Sequence, residues 1–315
     1  MRCGECGGIL YLSLRHGKIE EKDFLRNDLG GAPDRDKEES QRKETSLPVD
    51  TGREEEETAM NGNRVPAVSI VTPVYNVENW IEATMDSVRA QTFQDWEMLL
   101  VEDGSTDRTV PVIQKYLERT GENRIRLIRQ EKNGGAARAR NRGVQEASGR
   151  YIAYVDADDL WEPEKLEHQI AYMQEHSAAF GFTGYEFADE QGRGLGKIVR
   201  VPERLDYGEA LKNTTIFTST VMFDTERIPK DQLEMPIIKS EDTALWWRVL
   251  RQGYLAYGLD ENLVKYRRAG KSLSSNKLEA IRRIWNLYRK AEGLSVPSSA
   301  RYFFYWAVRA VKRRI

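Results

Sequence analysis

The sequence predicts a three-layer α/β/α protein built on a mixed, mainly parallel sheet. Two observations carry this. From Val68 onward, short apolar runs alternate with amphipathic stretches of helical length, which is the pattern of strands covered by helices on both faces. Turn signals, among them Asn133-Gly134-Gly135, Gly149 and Pro163, separate the runs. Strands are predicted over 68–72, 96–102, 125–129 and 151–155, and helices over 78–90, 109–119 and 136–147. The second half is less regular. It predicts a helix over 164–175, a strand near 180–187, a turn at 189–192 and a strand near 218–223. Helices follow around 243–252, 276–291 and 298–314.

At 315 residues and 40% hydrophobic content, the chain can bury one large α/β core or two modest ones with tails. Residues 1–64 are dense in Glu, Arg, Lys, Asp and Gly, with no hydrophobic period, and read as a disordered extension. Met60 stands just before Asn61-Gly62-Asn63 and the first strand, so translation is expected to start there. The α/β domain is placed at 65–270 and a pair of basic helices at 271–315. A net charge of -2 conceals a strong asymmetry: -4 over 1–64, -10 over 65–264 and +12 over 265–315.

Cys3 and Cys6 are the only cysteines, so there is no disulfide framework, and a reducing, cytoplasmic compartment is expected. Cys3-x-x-Cys6 lacks the second pair that a structural zinc site needs. No apolar run of spanning length and no export signal is present. Three scattered histidines exclude an obvious zinc site or Ser-His-Asp triad, which leaves acid–base and metal chemistry to carboxylates.

In an open parallel sheet, ligands bind beyond the carboxyl ends of the strands. The first strand runs into Thr72-Pro73-Val74-Tyr75-Asn76, the second into Glu102-Asp103-Gly104-Ser105-Thr106-Asp107 and the fourth into Asp156-Ala157-Asp158-Asp159. Three carboxylates within four residues, beside an apolar strand and without His or Cys, point to Mg²⁺ or Mn²⁺ held against phosphates. Taken alone, the cluster reads equally as a solvated loop with Asp159 capping a helix. Gly134 and Gly135 lead into a helix carrying Arg138, Arg140 and Arg142, which suits an anion. Glu241 and Asp242 open a later helix, whose dipole keeps a carboxylate ionised. Trp246-Trp247 reads either as a sugar platform or as one core ring beside one surface ring.

These residues resemble the family-2 glycosyltransferases with the GT-A nucleotide-sugar-binding fold. The likeness is carried by the 68–76 segment, Glu102-Asp103-Gly104-Ser105-Thr106-Asp107, Ala139-Arg140-Asn141, Asp156-Ala157-Asp158-Asp159 and Ser240-Glu241-Asp242, and it covers 68–268. Within the family, the style of 239–258 is similar to bacterial cell-wall and capsular enzymes of the teichuronic-acid type. The resemblance implies that Thr72, Pro73 and Tyr75 line the nucleobase pocket, that Asp103 binds the base and that Arg140 approaches the diphosphate. Asp156 and Asp158 would contact ribose, sugar or metal, with Asp158 and Asp159 the implied ligands of Mg²⁺ or Mn²⁺. The family often has Asp where Glu102 stands, which shifts the base-binding expectation to Asp103. Asp242 is the implied general base of inverting transfer from a nucleoside-diphosphate sugar, UDP-linked, to a hydroxyl of a lipid-linked glycan. The Gln-x-x-Arg-Trp element of processive synthases is absent, so one sugar per encounter is expected.

Residues 301–315 combine five aromatics with a basic end. They suit a peripheral helix at the inner face of the plasma membrane, or docking of Tyr302, Phe303 and Trp306 on the catalytic domain. No nucleic-acid motif accompanies them. Two other classes fit parts of the pattern. A sugar-nucleotidyltransferase expects a Gly-rich basic loop where this chain has Thr72-Pro73-Val74-Tyr75-Asn76, and a non-catalytic nucleotide-sugar-binding protein would not keep Asp242.

Overall fold

The computed structural model describes residues 65–212, 215–268 and 277–312. The expected extension at 1–64, with Cys3, Cys6 and Met60, lies outside the described residues. Four parallel strands open the fold: β1 (Val68–Val74), β2 (Trp96–Glu102), β3 (Ile125–Arg129) and β4 (Tyr151–Tyr154), in the order β3-β2-β1-β4. Helices α1 (Ile81–Arg89), α2 (Thr109–Thr120) and α3 (Ala136–Glu146) connect them. A parallel sheet covered on both faces needs apolar residues on both, and β2 is buried along its whole length. The pleat divides the strands between two cores. Val71, Leu99, Ile152 and Tyr154 pack on one face, and Val68, Ile70, Met98, Leu100 and Ala153 on the other. Helix α3 lies close on β1, because a Cβ at Gly143 would sit 2.3 Å from Val71 Cγ1.

Beyond β4 come β5 (Leu160–Trp161), α4 (Lys165–Glu175), β6 (Phe180–Ala188), β7 (Gly194–Val199), β8 (Arg204–Leu205), α5 (Tyr207–Lys212) and β9 (Met222–Asp224). Helix α6 (Glu241–Arg251), β10 (Ala256–Arg267), α7 (Lys277–Asn286) and α8 (Val296–Lys312) complete the chain. The sheet continues β4-β9-β6-β10-β5. Strand β9 runs antiparallel to β4 and β6, β10 parallel to β6, and β5 antiparallel to β10. The sheet is therefore mixed and mainly parallel, as the sequence predicts.

The second half differs from expectation in several places: β5, β7, β8 and α5 are not foreseen, and two further differences have a physical reason. The strand expected over 218–223 is a 3₁₀ turn, Thr218–Thr220, followed by β9. Its short hydroxyl side chains bond locally instead of extending: the Thr220 hydroxyl donates to the Phe217 carbonyl at 2.6 Å. Strand β10, with 12 residues, is not foreseen at all. Its pairing with β6 slips between Leu259 and Asn262, so Asp260 and Glu261 interrupt the alternation by which a strand is recognised.

The tandem tryptophans also depart from the one-in, one-out expectation, since both are buried. Helix α6 is covered on two sides. Trp246 meets Tyr154, Phe180 and Phe223 beneath it, while Trp247 stacks on Tyr288 with centroids 5.1 Å apart and planes 9° from parallel. The C-terminal helices thus share a core with α6, to which Ile284, Leu287 and Tyr288 belong.

Lys165, at the start of α4, is fully buried, and among the described residues its Nζ has no hydrogen-bond partner. It lies 3.6 Å from the Trp161 ring centroid, and loss of hydration drives its pKa well below the ordinary lysine value. A folded-state pKa below the unfolded one imposes no penalty above the ordinary value of 10.5, and the penalty grows as pH falls below it. Lys165→Met is therefore expected to raise the urea unfolding free energy at pH 7 by about 1 kcal/mol, with the gain shrinking toward pH 10. Equal gains at both pH values would show that the ammonium is not the source.

Candidate active site

The loops at the ends of β1, β2 and β4 meet over the start of α3. Asn76 adopts a left-handed conformation, φ 53°, which Asn tolerates. This turn lets its side-chain carbonyl accept the Thr106 N–H at 2.8 Å, while its own N–H donates to Ser105 Oγ at 3.1 Å. The first two strand-end loops are stapled together as a result. Asp103 fastens the third. Its carboxylate accepts the N–H groups of Gly134 and Gly135 and the Gln130 side-chain amide, each at 2.7 Å. Gly135, at φ 84°, turns the chain into α3.

One turn into α3, Arg140 is nearly buried and bridges two acids. Its guanidinium donates to Asp156 at 2.6 Å and to Glu241 at 2.9 Å, joining the β4 end to the start of α6. Burial opposes the charge on Arg140, but Asp156 and Glu241 outweigh it and raise the pKa. Burial raises the Glu241 pKa, with Arg140 opposing. Asp158 is lifted to about 6, first by burial and then by the charge of Asp156, and among the described residues it has no ion-pair partner.

Asp242 occupies the first turn of α6. Ser240, just before the helix, is left-handed at φ 62°, ψ 45°, a conformation that costs a non-glycine residue about 1 kcal/mol and so marks a constrained turn. Asp242 accepts the Thr218 hydroxyl at 2.9 Å and the Thr243 N–H at 2.6 Å. Tyr75, Arg140, Asp156, Asp158, Glu241 and Asp242 all line one cleft of about 770 Å³.

Other expected site residues are not among those that line this cleft. Thr72 is fully buried within β1, Pro73 is half-buried beside it, and Asp103 spends both oxygens on the loop before α3. Asp159, expected as a metal ligand, has both carboxylate oxygens engaged by the protein in this structure. It is fully buried, accepts the Ser219 hydroxyl at 2.5 Å and the Arg267 N–H at 3.1 Å, and has its pKa raised well above the usual range, by burial and then by Asp158 and Asp156. It anchors the end of β10 to the acid loop. Nor does it cap a helix, since β5 intervenes before α4.

The sequence reading missed the turn Thr218–Thr220. Thr218 holds Asp242, while Ser219 takes the Asp156 N–H at 3.0 Å and gives its own proton to Asp159. Trp161 and Gln169 donate to the Ser219 and Thr220 carbonyls at 2.8 and 3.0 Å, which fixes the turn from below. Nothing in Thr218-Ser219-Thr220 announces this, because each partner is more than twenty residues away in sequence. Trp306, from the aromatic tail, also lines the cleft, and Tyr302 and Phe303 pack on the core beside it.

Such a sheet, with its acids gathered where the strands end, defines the class: a glycosyltransferase of GT-A fold. Comparison with known proteins agrees. The description "Glycosyl transferase family 2" matches residues 69–226. TuaG of Bacillus subtilis (strain 168), assigned to teichuronic acid biosynthesis as a glycosyltransferase, is 43% identical over 80% of this chain and 99% of its own length. WfgD of Escherichia coli, a UDP-Glc:alpha-D-GlcNAc-diphosphoundecaprenol beta-1,3-glucosyltransferase, is 36% identical over 70% of this chain and 84% of its own. In fold the chain is similar to S. aureus TarS 1-349 in complex with UDP-GlcNAc, at TM-score 0.57 and 22% identity over 76% and 71% of the two chains. It is similar too to the mannosyltransferase PcManGT from Pyrobaculum calidifontis in complex with GDP-Man and Mn²⁺, at TM-score 0.57 and 17% identity over 79% and 74%. The chain belongs to glycosyl transferase family 2.

Proposed function

We propose that this enzyme moves a sugar from a nucleoside-diphosphate sugar, UDP-linked, to a hydroxyl of a lipid-linked glycan, with inversion and with a divalent cation, in cell-surface polysaccharide synthesis. One observation carries the reading: the Asp242 carboxylate opens onto the same cleft as the Asp156, Asp158 and Arg140 arrangement. Asp242 takes the proton of the acceptor hydroxyl, whose oxygen bonds to the anomeric carbon as the bond from that carbon to the diphosphate breaks. Thr218 and the Thr243 N–H orient the base, and Glu241, committed to Arg140, leaves Asp242 as the free acceptor of that proton.

Asp158 fits a cation. It is a cleft carboxylate without an ion pair, strained by its own burial and by Asp156, and Mg²⁺ or Mn²⁺ is held by one or two carboxylates with phosphate oxygens completing the set. Asp156 and Asp158 would hold it, with Tyr75 on the nucleobase side. When bound, the cation offsets the charge that develops on the departing diphosphate. The names of TuaG and WfgD support the cell-surface pathway and the diphospholipid acceptor.

A screen of UDP-, GDP- and TDP-sugars with Mn²⁺ tests the reading. One nucleotide class is expected to raise the melting midpoint by about 5 °C at a hundredfold excess over Kd, and EDTA to remove the shift. No response to any of them would overturn the assignment.

The reading extends to the inner face of the plasma membrane. With Tyr302, Phe303 and Trp306 turned to the core, α8 exposes Phe304, Tyr305 and Val308 alongside Arg301. Among the described residues, no helix is long and apolar enough to cross a membrane. Apolar side chains flanked by cations suit an anionic lipid surface. Phe304→Glu with Val308→Glu is expected to weaken binding to phosphatidylglycerol vesicles by about tenfold without changing the unfolding midpoint. Unchanged vesicle binding would remove the membrane from the reading.

A further inference from the structure

A second cavity, of about 640 Å³, adjoins the cleft and is walled by α7, by the turn Leu287–Ala291 and by the segment ahead of α6. Its polar lining is cationic. Lys239, Arg282, Arg283 and Lys290 face it, and its one acid, Glu279, already pairs with Lys239. Among the described residues, Arg282, Arg283 and Lys290 have no ion-pair partner, and the Arg283 Nε is buried without a hydrogen bond. Four cations against one acid leave an excess of like charge, and an anion carrying more than one negative charge relieves that repulsion. Beside these cations the lining is apolar at Ile238, Leu287 and Ala291, with Ile238 exposed. Polar and apolar halves together suit a ligand that is anionic at one point and hydrocarbon next to it.

The position of the cavity narrows the ligand further. It shares Arg283 and Leu287 with the catalytic cleft, so these two side chains border both spaces. Lys239 stands three residues before Asp242, no more than about 11 Å of chain from it. The donor diphosphate is assigned above to Asp156, Asp158 and Arg140, whereas the anion expected here lies along the wall made by α7 and the segment ahead of α6. We propose that this cavity holds the diphosphate of the acceptor, as a diphosphate ester bearing the glycan on one side and hydrocarbon on the other. Arg282, Arg283 and Lys290 take the diphosphate, the glycan passes Arg283 toward Asp242, and the hydrocarbon leaves over Ile238. This assignment rests on the transferase reading above and adds to it the site of acceptor recognition.

The test uses farnesyl diphosphate as the probe, titrated calorimetrically into the full chain with UDP and Mn²⁺ saturating, so that the donor half is filled. Binding is expected to weaken by about tenfold or more in Arg282→Glu with Lys290→Glu. Inorganic pyrophosphate is expected to bind the unaltered protein at least about tenfold more weakly than the farnesyl ester. A urea melt run alongside shows whether the variant is folded. Equal affinity of variant and unaltered protein for the farnesyl ester overturns the site. Pyrophosphate binding as tightly as the ester overturns the lipid acceptor and assigns the cations to free diphosphate. Failure of UDP with Mn²⁺ to bind at all would instead overturn the transferase reading, and the acceptor site with it.

Discussion

Asp242→Asn is expected to lower sugar transfer by about 10²- to 10⁴-fold while leaving the affinity for UDP and Mn²⁺ within about twofold. Asparagine keeps the shape of the side chain: its Oδ1 can accept the Thr243 N–H while its Nδ2 donates to the Thr218 hydroxyl oxygen, so the first turn of α6 stays in place. What it loses is the capacity to take a proton from the acceptor hydroxyl. Glu241 cannot substitute, because its carboxylate is paired with Arg140 at 2.9 Å. The loss should appear in kcat with acceptor present, measured as nucleotide release, with donor affinity followed by calorimetry. A collapse of donor affinity in this variant would move Asp242 to the donor side and leave the proton without an acceptor.

Arg140→Met is expected to cost about 3 kcal/mol of unfolding free energy and to abolish donor binding. The guanidinium is the one cation shared by Asp156 and Glu241, with only 8% of its side chain exposed. Removing it leaves those two acids, with Asp158 and Asp242 nearby, to repel one another without compensation. Their partial exposure lets water return, which keeps the cost at the lower end for a broken buried pair. Arg140→Lys should recover little, since a compact ammonium lacks the planar fork whose two nitrogens reach Asp156 and Glu241 separately. Urea denaturation measures the first effect and calorimetric titration of UDP with Mn²⁺ the second. A variant that is stable and binds donor normally would show that the bridge is incidental.

The first half of the fold was legible because its strands are buried on both faces and therefore read as apolar runs, with helices between them. The same logic located Tyr75, Arg140, Asp156, Asp158 and Asp242, polar residues just beyond strand ends or at helix starts, and all five line the cleft. Asp159 shows where that logic stops. Neighbouring acids in an irregular loop look alike in sequence, and what buries Asp159 is Ser219, 60 residues on, and Arg267, 108 residues on. Asp103 likewise reads as a ligand group, and the sequence does not show that its oxygens also accept the N–H groups of Gly134 and Gly135. Burial of both Trp246 and Trp247 could not be read from α6 alone, since the second covering layer is supplied by Tyr288, about forty residues later. Strand β10 escaped because its bulge destroys the period that would have announced it.

The cleft has two walls encoded far apart. Tyr75, Arg140, Asp156 and Asp158 come from the strand-end loops and α3, whereas Asp242, Arg283, Ile284 and Trp306 come from the last quarter of the chain. Heritable change can therefore act on each wall separately. Replacement of the C-terminal segment would re-address the protein to a different receiver while the earlier wall, and whatever it grips, is inherited intact. A lineage holding many such proteins can diversify its surface chemistry by exchanging one end of a gene, with Arg140 and its two acids as the seam along which the new end must fit.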